Sequence, residues 1–350
     1  MIIFAADIHL TPRAWTNRWS IEGDAFYALQ QIQDYVKGKK CSGIVLGGDT
    51  TDSNTPDAAT LYHLSEFMHK MTVMGIPVYF INGQHDRGAY GHSILETYGA
   101  KHIDQEIIQL EGKTYYGLSY RSRSDLLTAL ADVPECDFLV MHCAFKHLLS
   151  FEGAWQLEPS DIPEYVSNVL VGDIHVQDVS AFDKLKIYSP GSTYACNSAE
   201  IKQKHGFYTI DKTDIKHHLL KTRTFTTLSV EDTSRDEVMK ELEAINKKAV
   251  KAALPPVVFV KMTKDDTLAF DKFDKIVIVR IDAALELVDV SDLQIDAVKS
   301  LNLKASLPAA VDRKKDPELY DFLEGLLDSA SAGEYISDWV TKEGVKLVEK

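Results

Sequence analysis

Five short polar clusters carry the residue types from which a metal centre is made: Asp7-Ile8-His9, Gly48-Asp49, Gly83-Gln84-His85-Asp86, His142 and Gly172-Asp173-Ile174-His175. Carboxylates, imidazoles and an amide form the donor set of a site for two divalent cations, with one carboxylate able to bridge the pair. Taken singly, an Asp after an apolar run is more often a cap or turn former, and a buried His is more often just hydrogen-bonded. The ordered series D-x-H, G-D, G-x-H-D, H, G-x-x-H outweighs those bland readings. Glycines beside the acids let the backbone turn sharply and approach a ligand closely.

Each cluster directly follows an apolar run that reads as a buried strand: Ile2 to Ala5, Gly43 to Leu46, Val78 to Ile81, Phe138 to Met141 and Val169 to Val171. In α/β sheets ligands gather outside the carboxyl ends of strands, so groups far apart in sequence can converge on one pocket. Between the strands, Ala25, Leu29, Ile32 and Val36 have the spacing of a helix face, with Ser20 as its expected cap. A second helix is expected from near Asp57 to Met74, ahead of Gly75 and Pro77. The rhythm is that of an α/β sandwich over residues 1–212.

These motifs resemble the calcineurin-like metallophosphoesterases, and within them the SbcD-type nucleases of double-strand break repair. The closer resemblance rests on Gly48-Asp49-Thr50-Thr51-Asp52-Ser53-Asn54-Thr55-Pro56 and on Tyr188-Ser189-Pro190-Gly191-Ser192. It implies a two-sheet sandwich in which Asp7, His9 and His175 hold one cation, Asp49 bridges, and Gln84, His142 and Asp173 complete the second site. It also implies that His85 acts on the transition state or leaving oxygen without binding metal, with Asp86 fixing its tautomer. Two positions depart from the family pattern: Gln84 stands where Asn is usual, and Asp173 where His is usual. An Asp at position 173 adds negative charge, and bound water filling its place is the bland alternative. Oxygen-rich ligation without a thiolate favours manganese, or magnesium, over zinc.

The resemblance implies manganese-dependent cleavage of DNA, by exonuclease or endonuclease action, together with an SbcC-type coiled-coil ATPase, and leaves homodimerisation open. Asp52, His92, Arg121 and Arg123 are candidate substrate contacts, against the bland reading of turn, cap and solvated surface. Competing readings are another phosphoesterase, such as a protein phosphatase or cyclic-nucleotide phosphodiesterase, and a degenerate scaffold for the ATPase. Ser53 after Asp52 and Asp86 at the end of the third cluster depart from the protein-phosphatase pattern, and a dead site has little use for His85 beside Asp86.

Residues 213–303 read as a small α+β capping domain. Val238, Leu242, Ile245 and Ala249 form its helix face, and Val257 to Val260 and Ile276 to Ile281 its strands. Residues 304–350 read as a tether, Lys304 to Lys315, followed by two amphipathic helices that dock on the partner. The four cysteines form no C-x-x-C pair and read as buried thiols. No apolar run approaches a membrane span and no signal peptide is visible, so a cytoplasmic location is expected. A formal net charge of −14 excludes broad nonspecific attraction to nucleic acid but not a local site.

Overall fold

The computed structural model describes residues 1–15, 20–86, 93–149, 155–212, 214–263 and 268–282. His92, the tether and the two C-terminal helices expected above lie outside the described residues.

In chain order the strands begin with β1 (Ile2–Ala5), a short ribbon of β2 (Arg13–Ala14) and β3 (Ile21–Glu22), then β4 (Gly43–Gly47) and β5 (Val78–Ile81). There follow β6 (Lys101–His102), β7 (Ile107–Leu110), β8 (Lys113–Leu118), β9 (Phe138–His142) and β10 (Asn168–Gly172). The series continues with β11 (Gln177–Phe182), β12 (Leu185–Pro190), β13 (Gly206–Asp211) and β14 (Asp214–Leu219), and ends with β15 (Phe225–Ser229), β16 (Val257–Met262) and β17 (Val277–Asp282). Two mixed six-stranded sheets result, in the orders β14-β13-β1-β4-β5-β6 and β11-β12-β10-β9-β8-β7.

Alternation along the strands explains how the sheets are covered. Ile2 and Phe4 turn into an apolar layer shared with Val45, Ile81, Phe138, Val140, Leu170 and Tyr208 from both sheets. Ile3 and Ala5 turn the other way, into a second layer. That layer is closed by Ala25, Leu29, Ile32 and Val36 of α1 (Asp24–Val36) and by Leu64, Phe67, Met68 and Met71 of α2 (Ala58–Val73). Because both faces are covered, β1, β4 and β9 are buried along their whole length, which is why they read as unbroken apolar runs.

Helix ends differ in how far the sequence announces them. Asp57 caps α2 by accepting from the Thr60 N–H at 2.8 Å, as its placement suggests. Ser20 does not cap α1. The N-cap is Gly23, whose φ of 85° is left-handed and which makes no side-chain cap bond. Two short helices, α3 (Ile94–Thr97) and α4 (Arg123–Leu130), complete the sandwich.

The first sheet runs past Lys212, because β14 pairs with β13 from Gly206↔Leu219 to Asp211↔Asp214. Beyond it, α5 (Arg235–Ala249) starts in a capping box between Ser234 and Glu237 and buries Val238, Leu242 and Ala249. It joins β15 to β16, which are parallel, and β16 is parallel to β17. The small unit is therefore βαβ-like rather than α+β. Its extra strand, Phe-Thr-Thr-Leu-Ser, is too polar to read as one from pattern alone.

This sheet rests on the α1 side of the sandwich, where Val257, Phe259, Val279 and Ile281 share the apolar layer of Ile21, Ala25 and Leu29. Trp15 stacks on Phe225 with centroids 5.0 Å apart. Arg223 is buried and grips Asp24, with Nη2 to Oδ2 at 2.7 Å and Nε to Oδ1 at 3.0 Å. Removing one partner of such a buried pair typically costs about 3–5 kcal/mol.

By contact density the chain divides into two compact units, Met1–Cys143 with Pro159–Asp289 and Ala144–Glu158 with Val290–Lys350. Of the second, the described part is a short 3₁₀ turn, Lys146–Leu148, with a bridge between Phe145 and Leu157. Among the described residues no helix is long and apolar enough to cross a membrane.

Candidate metal centre

All five clusters leave the carboxyl ends of adjacent strands: β1, β4 and β5 in one sheet, β9 and β10 in the other. The loops after β1 and β4 run side by side, with the Asp7 N–H donating to Gly48 O at 3.1 Å and the His9 N–H to Asp49 O at 2.9 Å. Asp7, His9, Asp49 and Asp173 all hold left-handed backbone, with φ of 51°, 41°, 49° and 95°. Such conformations cost on the order of 1–3 kcal/mol each and survive where the surroundings enforce them, commonly at functional sites.

Glycine is required where the loops meet. A Cβ on Gly48, whose φ is 93°, would fall 2.3 Å from His142 Nδ1. One on Gly83 would fall 2.0 Å from Asp49 Oδ1.

Asp49 sits at the centre. Its Oδ2 lies 3.3 Å from His142 Nε2, 3.7 Å from His9 Nε2 and 4.0 Å from His85 Nε2. Its Oδ1 accepts from the His85 N–H at 2.8 Å. Asp7 Oδ1 is 3.8 Å from His175 Nε2, and both Asp7 oxygens accept from the Asp173 N–H. Asp173 Oδ1 lies 3.8 Å from His142 Nε2 and accepts from Gln84 Nε2 at 3.3 Å. The two positions that depart from the family pattern thus touch each other.

Three imidazoles repeat one arrangement. His142 Nδ1 donates to Gly47 O at 2.8 Å, His9 Nδ1 to Asp52 Oδ1 at 3.1 Å, and His175 Nδ1 to Glu200 Oε1 at 2.7 Å. With the proton fixed on Nδ1, each neutral ring turns an Nε2 lone pair inward. There they meet carboxylate oxygens or one another, the Nε2 atoms of His9 and His175 standing 3.1 Å apart. His142 Nε2 is fully buried and has no hydrogen-bond donor facing it. Lone pairs facing lone pairs and carboxylates demand a cation, so this donor set fits divalent metal.

The electrostatics agree. Burial pushes the carboxyls of Asp7 and Asp173 up, Asp173 to about 6. Burial also disfavours charge on His142, but the bond to Asp49 and the charges of Asp49, Asp7 and Asp173 outweigh it and lift the imidazole to about 10. Asp49 is held well below the usual carboxylate range despite burial, mainly by His142. His175 is lifted despite burial by Cys196 and Glu200. At His142 and His175 the pocket thus favours positive charge despite burial.

The other expected residues fall out differently. His85 donates from Nδ1 to the Asp52 carbonyl at 3.0 Å, not to Asp86, and its ring edge is partly exposed. Asp86 is buried and accepts from the N–H groups of Thr50, Thr51 and Gly83, at 3.1, 2.9 and 3.1 Å. It ties two site loops together instead of orienting His85, because a carboxylate this deep must spend its lone pairs on buried donors. Asp52 is half-exposed and accepts from His9 Nδ1 at 3.1 Å. Arg121 is not a free phosphate contact. Its fork grips Asp104 with two bonds of 2.9 Å and donates to Ser119 O, as a part-buried guanidinium must. Arg123 is exposed in the first turn of α4.

Two residues escaped sequence reasoning. Glu200 fixes His175 through Oε1, while its Oε2 accepts from the Cys196 N–H at 2.9 Å and from Ser192 Oγ at 3.2 Å. Cys196 has its sulfur within 4.8 Å of ligand nitrogens of His9 and His175. Burial pushes its thiol up to about 11, with His175 pulling the other way. Neither residue follows a strand end, the signal that marks the others.

Comparison with known proteins gives the same direction. Residues 1–159 match the calcineurin-like phosphoesterase family. A DNA double-strand break repair protein Mre11 from Sulfolobus acidocaldarius is 26% identical over 378 residues, spanning 100% of this chain and 97% of its own. Another Mre11, from Sulfurisphaera tokodaii, is 27% identical over 197 residues, 52% of this chain and 50% of its own.

Proposed function

We propose that this chain, whose residues 1–159 match the calcineurin-like phosphoesterase family, is a two-metal DNA nuclease that hydrolyses phosphodiester bonds during break repair or recombination. The observation that carries the reading is the threefold repeat at His9, His142 and His175, in which a pinned Nδ1 leaves Nε2 open toward carboxylates. Asp7, His9 and His175 would hold one cation, Gln84, His142 and Asp173 the other, with Asp49 between them. Bound there, divalent cations supply Lewis acidity to the phosphate and to attacking water. Three carboxylates make the set oxygen-rich, which favours manganese or magnesium for at least one site.

His85 serves the leaving group. The Asp52 carbonyl holds its Nδ1–H, so the ring presents Nε2 beside the centre and can deliver a proton to the departing sugar oxygen. Asp49 Oδ1 accepts from the His85 N–H, which ties the His85 backbone to the carboxylate at the centre. The −14 charge is consistent with DNA as substrate once cations offset the acidic pocket. Similarity to a break-repair Mre11 over the full chain supports repair as the setting, and the resemblance to SbcD-type nucleases extends the proposal to an SbcC-type ATPase as partner.

The test is cleavage of labelled duplex and single-stranded DNA with manganese and then with chelator. Chelator-sensitive cleavage supports the reading. Hydrolysis of phosphoprotein or cyclic nucleotide with no cleavage of DNA overturns it.

A further inference from the structure

An all-oxygen-and-nitrogen ligand set is the ground for expecting manganese or magnesium throughout the centre. The structure adds sulfur on one side. Sγ of Cys196 and one ring nitrogen each of His9 and His175 lie within 4.8 Å of one another, the span of a single coordination sphere. His9 is only 5% exposed, and its inward Nε2 meets the Nε2 of His175 at 3.1 Å, with both Nδ1 atoms turned outward onto carboxylates. The same two nitrogens face carboxylate oxygens, His9 Nε2 to Asp49 Oδ2 at 3.7 Å and His175 Nε2 to Asp7 Oδ1 at 3.8 Å, a cluster of ligand atoms that stands independently of the cysteine.

Cys196 is placed there, not merely nearby. Glu200 accepts from its backbone N–H with one oxygen and from His175 Nδ1 with the other, so one carboxylate sets the positions of both. The thiol donates to Tyr194 O at 3.5 Å, a long and weak bond, and its sulfur also faces the His175 ring. Tyr194 in turn donates to the His9 carbonyl at 3.0 Å, so the segment carrying the sulfur is braced against the loop carrying His9. On the opposite side of Asp49, Asp173 and Gln84 bring oxygen to the His142 side.

Resting on the two-metal reading above, we propose that Cys196 is a further ligand of the cation held by Asp7, His9 and His175, which makes the centre unequal: one site adds sulfur to its imidazoles and is the more thiophilic, the other is oxygen-rich. Soft thiolate and imidazole suit zinc-like ions, whereas carboxylate and amide oxygen suit manganese or magnesium. The centre is thus built to hold two different metals. As the sulfur–metal bond forms, the S–H bond breaks and its proton passes to solvent, with no change of oxidation state.

The experiment strips the full chain with chelator and titrates it with cobalt(II) under nitrogen, reading bound metal and the near-ultraviolet absorption together. The expected result is a sulfur-to-cobalt charge-transfer band in the wild type and its loss in Cys196→Ser and Cys196→Ala. As a check that does not depend on those variants folding, cobalt should protect Cys196 of the wild type from alkylation, read by mass spectrometry. Two cobalt ions bound with no charge-transfer band and no protection would overturn the thiolate ligand while leaving the two-metal reading intact. Absence of any cobalt binding would overturn the two-metal reading, and this proposal with it.

Discussion

His9 and His175, separated by 166 positions in sequence, turn their Nε2 atoms toward one another at 3.1 Å. Each is fixed from behind by a carboxylate, Asp52 for His9 and Glu200 for His175. Loss of such an outer partner typically costs about 10–100-fold in metal affinity. Glu200→Ala and Asp52→Ala should each weaken one cation by that order in calorimetric titration and leave the other near its wild-type affinity. Asp52→Asn and Glu200→Gln, which keep an accepting oxygen, should restore part of the loss. Unchanged titrations in both Ala variants would mean that these carboxylates do not set the rings.

Gly48 is where the loop after β4 passes His142. An alanine there meets Nδ1 at 2.3 Å and must also hold a φ of 93°. Gly48→Ala should therefore displace His142 from the Gly47 carbonyl and reduce bound metal, measured by elemental analysis of folded protein. Full metal content in that variant would show that the approach is looser than this geometry requires.

Without metal, His142 and His175 take protons in place of cations. Their folded values are raised, His142 to about 10 from an ordinary 6.5. The stability each adds is complete below about pH 6.5 and is lost as pH rises through its raised folded value, about 10 for His142. Chelated protein should melt progressively lower between pH 7 and 10, and saturating metal should reduce the slope because the cation takes the same Nε2 lone pair. A chelated protein whose melting temperature is flat or rising over that range would contradict the assignment.

Arg223 and Asp24 fasten the small βαβ-like unit to α1. Arg223→Ala leaves Asp24 buried without its partner and should cost about 3–5 kcal/mol. Denaturant unfolding followed by Trp15 fluorescence reports this, since Trp15 stacks on Phe225 of that unit. A loss below about 1 kcal/mol, the range of exposed ion pairs, would show that the pair is solvated in solution.

The strands that carry the site were legible because each is a short, largely buried apolar run with Gly, Asp or His at or just after its end, as at Gly47-Gly48-Asp49. What the sequence hid depends on contacts across long separations. Asp86 looked like the partner of its neighbour His85, yet three buried N–H groups claim it. Arg121 looked like surface charge because Asp104, which holds it, lies 17 residues away. Cys196 and Glu200 follow the Pro190-Gly191-Ser192 stretch without any apolar run to announce them, and only the closure of that segment over the His9 loop brings them to the centre. The polar strand β15 needed its pairing with β16 to be recognised as a strand at all.

The central claim is that Asp49 and its neighbours hold cations while His85 works on the leaving group. It is tested most directly by measuring manganese-dependent cleavage of duplex DNA and bound metal in the same samples of wild type, Asp49→Ala and His85→Ala. The account predicts that Asp49→Ala loses both metal and cleavage, whereas His85→Ala retains near-normal metal and loses cleavage by about 10²–10⁴-fold, the usual worth of a positioned acid. Undiminished cleavage by metal-loaded His85→Ala, or by Asp49→Ala, would contradict it.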